Sequence, residues 1–113
     1  MNIQIFGTNK CFDTKKAQRY FKERGVKFQL INLKEKGMSK GEFNSVKQAV
    51  GGLSNMIDEK CKDQDALALI TYIAEEAKEA KVLENQQILM TPIVRNGKSA
   101  TVGYKPEVWK SWE

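Results

Sequence analysis

Histidine is absent from this sequence of 113 residues, and proline and cysteine occur only twice each. Without histidine, the chain cannot build a Ser-His-Asp or Cys-His nucleophile, and it lacks the imidazole ligands of common zinc sites. We therefore predict no metal site. Any cysteine chemistry must be activated by groups other than imidazole.

Long apolar segments are also absent. No stretch approaches the roughly 20 apolar residues of a membrane span, and the opening residues MNIQIF lack the basic flank and cleavage site of a signal peptide. We expect a cytoplasmic protein with no membrane partner. Two widely separated cysteines do not form a disulfide scaffold, so free or catalytic thiols are expected.

The charge is moderately basic, with 19 Lys and Arg against 14 Asp and Glu. The lysines are spread along the chain rather than gathered in one block, which is typical of a solvated surface and not of a direct nucleic-acid interface. The length suits one domain that spans residues 1–113.

The first third of the chain has the pattern of a βαβ unit. Ile3 and Ile5 alternate in a predicted strand, residues 12–24 have helical spacing, and residues 26–33 alternate again. A strand, a helix and a strand within about thirty residues predict parallel pairing of the two strands.

The middle of the chain is predicted to be helical. Ser39 and Glu42 have the spacing of a capping box at a helix start. The segment DALALITYIAEEAKEA, residues 65–80, places apolar side chains on one face and predicts a single helix. We place a helical insert at about residues 39–85.

The last third predicts a hairpin and a helix. Asn96-Gly97 between two β-branched segments favours a tight type I′ turn, and Pro106 suits the first position of a final helix. The complete order, βαβ, helical insert and ββα, is that of an α/β, thioredoxin-like fold with a mixed four-stranded sheet.

In such a fold, Cys11 lies where the first strand leads into the first helix. The backbone N–H groups of Phe12, Asp13 and Thr14, together with the positive end of the helix, would hold a thiolate or a bound oxyanion. Lys15 adds positive charge nearby, whereas the carboxylate of Asp13 opposes it.

Three segments, CFDTKKAQRYFKERGVKFQLINL, TPIVRNGK and VGYKPEVW, resemble the arsenate reductase-like family, which also contains the Spx-type regulators. The resemblance covers nearly the whole chain and is nearest to small clostridial-type members with an active-site cysteine or selenocysteine. It implies an oxidoreductase without a bound cofactor that uses Cys11 as nucleophile on a small oxyanion or thiol substrate. Glutathione with glutaredoxin, or a thioredoxin-type protein, would be the reductant.

The resemblance also implies roles for residues around Cys11. Thr14 matches a small hydroxyl residue or second cysteine of the family, and it either donates a hydrogen bond to the Cys11 thiolate or simply belongs to the first helical turn. Pro92 matches a proline that is usually cis and faces the active cysteine, with the backbone of Thr91 beside it.

The chain departs from the family at the oxyanion site. Arsenate reductases of this type hold their substrate with three arginines, but this chain has Thr91 and Lys105 at two of those positions and no arginine in residues 51–63. Lys105 supplies only a point charge in place of a bidentate fork. The substrate is therefore left open, while thiol chemistry remains the expectation.

Cys61 is a second departure. Its neighbours Lys60 and Lys62 would lower the pKa of its thiol, and it is either a resolving cysteine for Cys11 or an incidental free thiol. The alternative function is an Spx-like regulator that binds RNA polymerase without catalysis. A redox-switched version is disfavoured, because Thr14 leaves the chain without a C-x-x-C motif.

Overall fold

The computed structural model describes all 113 residues. Its helices and strands, in chain order, are β1 Ile3–Gly7, α1 Phe12–Glu23, β2 Phe28–Asn32, α2 Lys40–Val50, α3 Gln64–Tyr72, α4 Glu75–Glu84, β3 Ile93–Asn96, β4 Ser99–Val102 and α5 Pro106–Ser111. Short 3-10 turns cover Leu53–Met56 and Gln86–Ile88. None of the helices combines the length and the apolar character needed to cross a membrane.

The four strands form one mixed sheet in the order β2-β1-β3-β4. Strand β1 pairs in parallel with β2, as the βαβ pattern predicts, and β3 is antiparallel to both β1 and β4. Helices α2, α3 and α4 all lie between β2 and β3 in the chain. The predicted α/β class and element order are confirmed.

Each face of the sheet carries its own core. On one face, Ile3 and Ile5 pack with α1 residues and with Trp109 of α5. On the other, Phe6 and Ile93 pack with Phe43 of α2 and with side chains from the other inserted helices. The alternation within β1 thus sends neighbouring side chains into two different cores.

The capping box is present as predicted. The Ser39 hydroxyl accepts a hydrogen bond from the Glu42 N–H, and the Glu42 carboxylate accepts one from the Ser39 N–H. Burial alone would raise the pKa of Glu42, but the Ser39 backbone and Gln4 amide hydrogen bonds outweigh it, so the pKa is lowered. The capping box of α2 therefore forms with the Glu42 carboxylate in its ionised state.

Residues 65–80 do not form the single helix that their pattern predicts. Helix α3 ends at Tyr72, Ile73 is extended with ψ 167°, and α4 begins at Glu75. The break follows the β-branched Ile70 and Thr71 and falls at β-branched Ile73; such residues lose rotamer freedom in a helix. Tertiary packing therefore has to overcome only a weak local preference for a continuous helix.

The predicted hairpin forms, but its turn is shifted by one residue. Asn96 pairs with Ser99, so the two turn residues are Gly97 and Lys98. Only Gly97 has a positive φ, 60°, whereas a type I′ turn requires positive φ at both positions. The glycine at the first turn position is the pattern of a type II′ turn.

Helix α1 lies unusually close to the end of β1. A Cβ atom added to Gly7 would collide with the Thr14 hydroxyl and would lie 2.5 Å from Thr14 Cγ2. Thr14 is fully buried at this contact. The absence of a side chain at Gly7 therefore sets how near the first turn of α1 can approach the sheet.

Replacing Gly7 with alanine is expected to lower the free energy of unfolding by about 1–3 kcal/mol, the usual cost of overpacking a core. Urea unfolding at neutral pH measures this. Gly41→Ala is the matched control, because a Cβ there meets no atom within 4 Å, and its helical site should tolerate or favour alanine. Thr14→Ala in the Gly7→Ala background should recover part of the loss; equal stabilities for all four chains would contradict the contact.

Candidate active site

Cys11 is the N-cap residue of α1, with extended backbone angles of φ −81° and ψ 116°. The first helical hydrogen bond runs from the Lys15 N–H to the Cys11 carbonyl, 3.3 Å away. The N–H groups of Phe12, Asp13 and Thr14 precede that bond and are the unpaired donors of the helix start. The half-buried free thiol of Cys11 therefore lies at the positive end of the helix.

The segment before β3 meets this thiol. The Cys11 thiol donates a hydrogen bond to the Thr91 carbonyl oxygen over an Sγ–O distance of 3.6 Å. The Thr91–Pro92 peptide bond is cis, the isomer that the family resemblance implies. The backbone of Thr91 is thus a direct neighbour of the candidate nucleophile.

The Thr14 hydroxyl forms no hydrogen bond with the Cys11 thiol. Its hydroxyl is buried without any hydrogen-bond partner, and it faces Gly7 of β1. Side chains in the first helical turn point back along the helix, and here that direction leads to the strand. The hydrogen bond from Thr14 to the Cys11 sulfur is therefore absent from this structure.

A cleft of about 810 Å³ opens beside Cys11. One wall contains Thr8, Lys10, Cys11 and Thr91, and most residues of the segments 33–37, 58–63 and 83–89 complete the lining. Sequence reasoning did not find the walls at residues 33–37 and 83–89. Their only local signal is Gly37, which has a φ of 74° and packs against the Gln86 side chain.

The remaining predicted support residues do not line the cleft. The side chains of Phe12, Lys15 and Lys105 are exposed, and none of the three lines the cleft. Asp13 is half-buried in the first turn of α1. The structure therefore joins Cys11, Thr91 and Cys61 in one cleft and leaves Lys105 outside it.

The cleft carries charges of both signs. Five lysines line it, namely Lys10, Lys34, Lys36, Lys60 and Lys62, together with four acidic residues, Glu35, Asp58, Asp63 and Glu84. No arginine lines it, and no group of three or more potential metal-ligating side chains occurs in the structure. The cleft can attract an anion through point charges but offers no bidentate fork.

The arginine nearest the proline is engaged elsewhere. Arg95 donates to the Gln4 side chain at 2.7 Å and to the Ser45 hydroxyl at 3.2 Å, on the sheet face beneath α2. It is half-buried there and does not line the cleft. This arginine holds α2 against the sheet.

Cys61 lines the same cleft but differs from Cys11 in its surroundings. The thiol is buried and donates to the Asp63 carbonyl oxygen at 3.6 Å. Burial raises the pKa of the Cys61 thiol, and the carboxylates of Asp58 and Asp63 raise it further. The prediction that Lys60 and Lys62 lower this pKa is wrong, because their side chains are exposed while the thiol is buried.

Comparisons with known proteins support the fold. No protein-family model matches the chain, and no curated protein matches it in sequence. Among solved structures, an arsenate reductase from Vibrio cholerae is 23% identical, with a TM-score of 0.81 over 98% of this chain and 97% of its own. A protein from Bacteroides fragilis related to the ArsC family is 17% identical, with a TM-score of 0.82 over 100% and 98%.

A more distant likeness extends the comparison. The glutaredoxin-like NrdH-redoxin from Escherichia coli is 18% identical, with a TM-score of 0.51 over 100% of this chain and 96% of its own. At these identities the likenesses establish a shared fold. The chain therefore has the thioredoxin-like fold found in arsenate reductases, whereas the clostridial-type subgroup stays a prediction.

The two thiols are expected to differ in reactivity. With iodoacetamide at neutral pH, Cys11 should be alkylated in the folded protein, and Cys61 at least about tenfold more slowly, because its thiol is buried. Peptide mass mapping over time measures both rates. In concentrated urea the two rates should converge, and equal rates in the folded protein would contradict the burial of Cys61.

The raised pKa of Cys61 also predicts a pH dependence of stability. The Cys61 thiol holds its proton more tightly in the folded chain than in the unfolded chain. The stability that this difference adds is complete below pH 9.0, the ordinary pKa of the thiol, and it is lost as the pH rises from there through the higher pKa of the folded state. One thiol can add a slope of at most about 1.4 kcal/mol per pH unit. Urea unfolding above pH 9 should show a shallower decline for Cys61→Ala than for the native chain; identical slopes would contradict the prediction.

Proposed function

We propose that this chain is a thiol-dependent oxidoreductase of the arsenate reductase-like type, with Cys11 as its nucleophile. The observation that carries the proposal is the free thiol at the N-cap of α1, beside the Thr91 carbonyl and open to a cleft. The fold shared with the Vibrio cholerae arsenate reductase supports it.

The start of α1 is the source of activation in this proposal. A thiol can donate to the Thr91 carbonyl, but a thiolate cannot. Once the proton is lost, the remaining favourable partners of the sulfur are the unpaired N–H groups of residues 12–14 and the positive end of the helix. These groups require no histidine, which the chain lacks.

The reaction proceeds in two thiol steps. The Cys11 sulfur attacks an electrophilic atom of the substrate, forms a covalent bond with it and releases the leaving group. A second thiol then attacks the Cys11 sulfur, a disulfide forms, and the bound atom departs with the electron pair of its former bond to sulfur. Two electrons thereby pass from two thiols to the substrate, and glutathione with glutaredoxin, or a thioredoxin-type protein, restores the thiols.

The charges of the cleft bear on the substrate. Lysine ammonium groups attract a small anion, but the four carboxylates offset them, and no arginine is present to hold a doubly charged oxyanion through paired hydrogen bonds. We therefore expect the protein to reduce a low-molecular-weight disulfide more efficiently than arsenate. This preference for a disulfide over arsenate is part of the proposal.

Turnover should depend on Cys11. With arsenate, hydrogen peroxide and a low-molecular-weight disulfide each offered in turn, Cys11→Ser should lose at least about a hundredfold in rate, because a hydroxyl is a far weaker nucleophile than a thiolate. Consumption of NADPH, coupled through a glutaredoxin or a thioredoxin system, measures the rate. Ser99→Ala removes an exposed hydroxyl on β4 and serves as the control. Native-like rates of Cys11→Ser with a substrate that the native protein turns over would refute the proposal.

A further inference from the structure

We infer that Cys61 is the resolving thiol, which attacks the Cys11 adduct and releases the reduced product. This inference rests on the proposed function, since it needs an adduct on Cys11. The two residues are the only cysteines of the chain, both are free, and both line the one cleft beside α1.

Backbone pairing connects the segments that carry the two thiols. The Cys11 thiol contacts the Thr91 carbonyl. Immediately before Thr91, the Met90 N–H donates to Met56, and Leu89 forms a β-bridge with Ile57. Cys61 follows Ile57 of this bridge by four residues and lines the same cleft as Cys11.

The turn that carries Cys61 is hydrogen-bonded to the neighbouring cleft wall at its two ends. Between Asp58 and Asp63, Cys61 is the only buried side chain. Its N–H bonds to the nearby Asp58 carbonyl, and its carbonyl accepts from the Gln64 side chain just beyond the segment. A disulfide requires Cα atoms within about 7 Å. The inference therefore requires this turn to shift toward Cys11, which would withdraw one small side chain from the core on the α2 face of the sheet.

The environments of the two thiols order the steps. Cys11 is half-buried at a helix start and meets substrate first, whereas Cys61 is buried beside the carboxylates of Asp58 and Asp63. Those carboxylates disfavour a free Cys61 thiolate. Cys61 therefore competes poorly for free substrate, whereas its attack on a Cys11 adduct is intramolecular, because both residues line the same cleft.

Oxidised glutathione shows the balance of the reaction. The Cys11 thiolate attacks one glutathione sulfur, a Cys11–glutathione disulfide forms, and one glutathione thiolate leaves. Cys61 then attacks the Cys11 sulfur; the Cys11–Cys61 bond forms, the bond to glutathione breaks, and the second glutathione leaves with the Cys61 proton. Two cysteine thiols are oxidised, one glutathione disulfide is reduced, and a dithiol protein of the thioredoxin class would restore both thiols.

Intact-protein and peptide mass spectrometry after treatment with oxidised glutathione tests the inference. The native chain should lose two hydrogens and yield a peptide pair joined through Cys11 and Cys61. Cys61→Ser should instead keep one glutathione on Cys11, and Cys11→Ser should take up none. Cys61→Ala provides a second variant of the same design, and circular dichroism establishes that each variant is folded.

A native protein that keeps a stable glutathione on Cys11, with Cys61 still free for alkylation after unfolding, would overturn the inference and leave the proposed function intact. A folded Cys61→Ser that takes up no glutathione at Cys11 would overturn both. In turnover of a substrate other than oxidised glutathione, such as hydrogen peroxide or arsenate, Cys61→Ser should be at least about tenfold slower than the native chain with a thioredoxin-type reductant. It should keep the native rate with glutathione and glutaredoxin, because glutathione itself can resolve the adduct. A Cys61→Ser variant that matches the native rate with both reductants would also overturn the role of Cys61.

Discussion

The close approach of α1 to the end of β1 is the constraint on which the site depends. It exists because Gly7 has no side chain where the buried Thr14 lies. This contact fixes the first turn of α1, and the first turn fixes Cys11 at the N-cap, beside Thr91 from the far end of the chain. Burying the Thr14 hydroxyl without a partner costs on the order of 1–3 kcal/mol. The packing of α1 against the sheet must therefore offset the cost of burying this hydroxyl, in the same helical turn as the candidate nucleophile.

The distribution of cations separates structural support from substrate attraction. Two of the three arginines have evident structural roles: Arg95 bonds to Gln4 and Ser45 beneath α2, and Arg24 lies over the Tyr20 ring near Glu113. The cleft receives lysines only. Since lysine is a flexible point charge, such a cleft attracts anions without fixing their orientation. Orientation of a substrate would then come mainly from the covalent bond to Cys11 and from backbone groups at the start of α1.

Local patterns predicted the elements that local forces decide. The capping box at Ser39 and Glu42, the helix start after Cys11 and the proline at the start of α5 all follow from interactions within a few residues. The failures have other causes. The hairpin turn is off by one residue because strand register is set by both partners, and α3 ends early because packing decides between weak helix preferences. The surroundings of Cys61 depend on which side chains fold over it. Its lysine neighbours in the sequence therefore predicted a lowered pKa, whereas the pKa is raised.

The same distinction explains why the candidate site could be found only in part. Cys11 is identifiable because its neighbourhood is a strand end and a helix start, both visible in the sequence. The cleft is assembled from four segments that meet only in the folded chain, and no local pattern joins them. Its two thiols consequently acquire opposite environments, one at an open helix start and one buried beside carboxylates. That asymmetry suits a two-thiol reaction, because one sulfur is open to the substrate while the other, with less thiolate and less access, attacks free substrate more slowly.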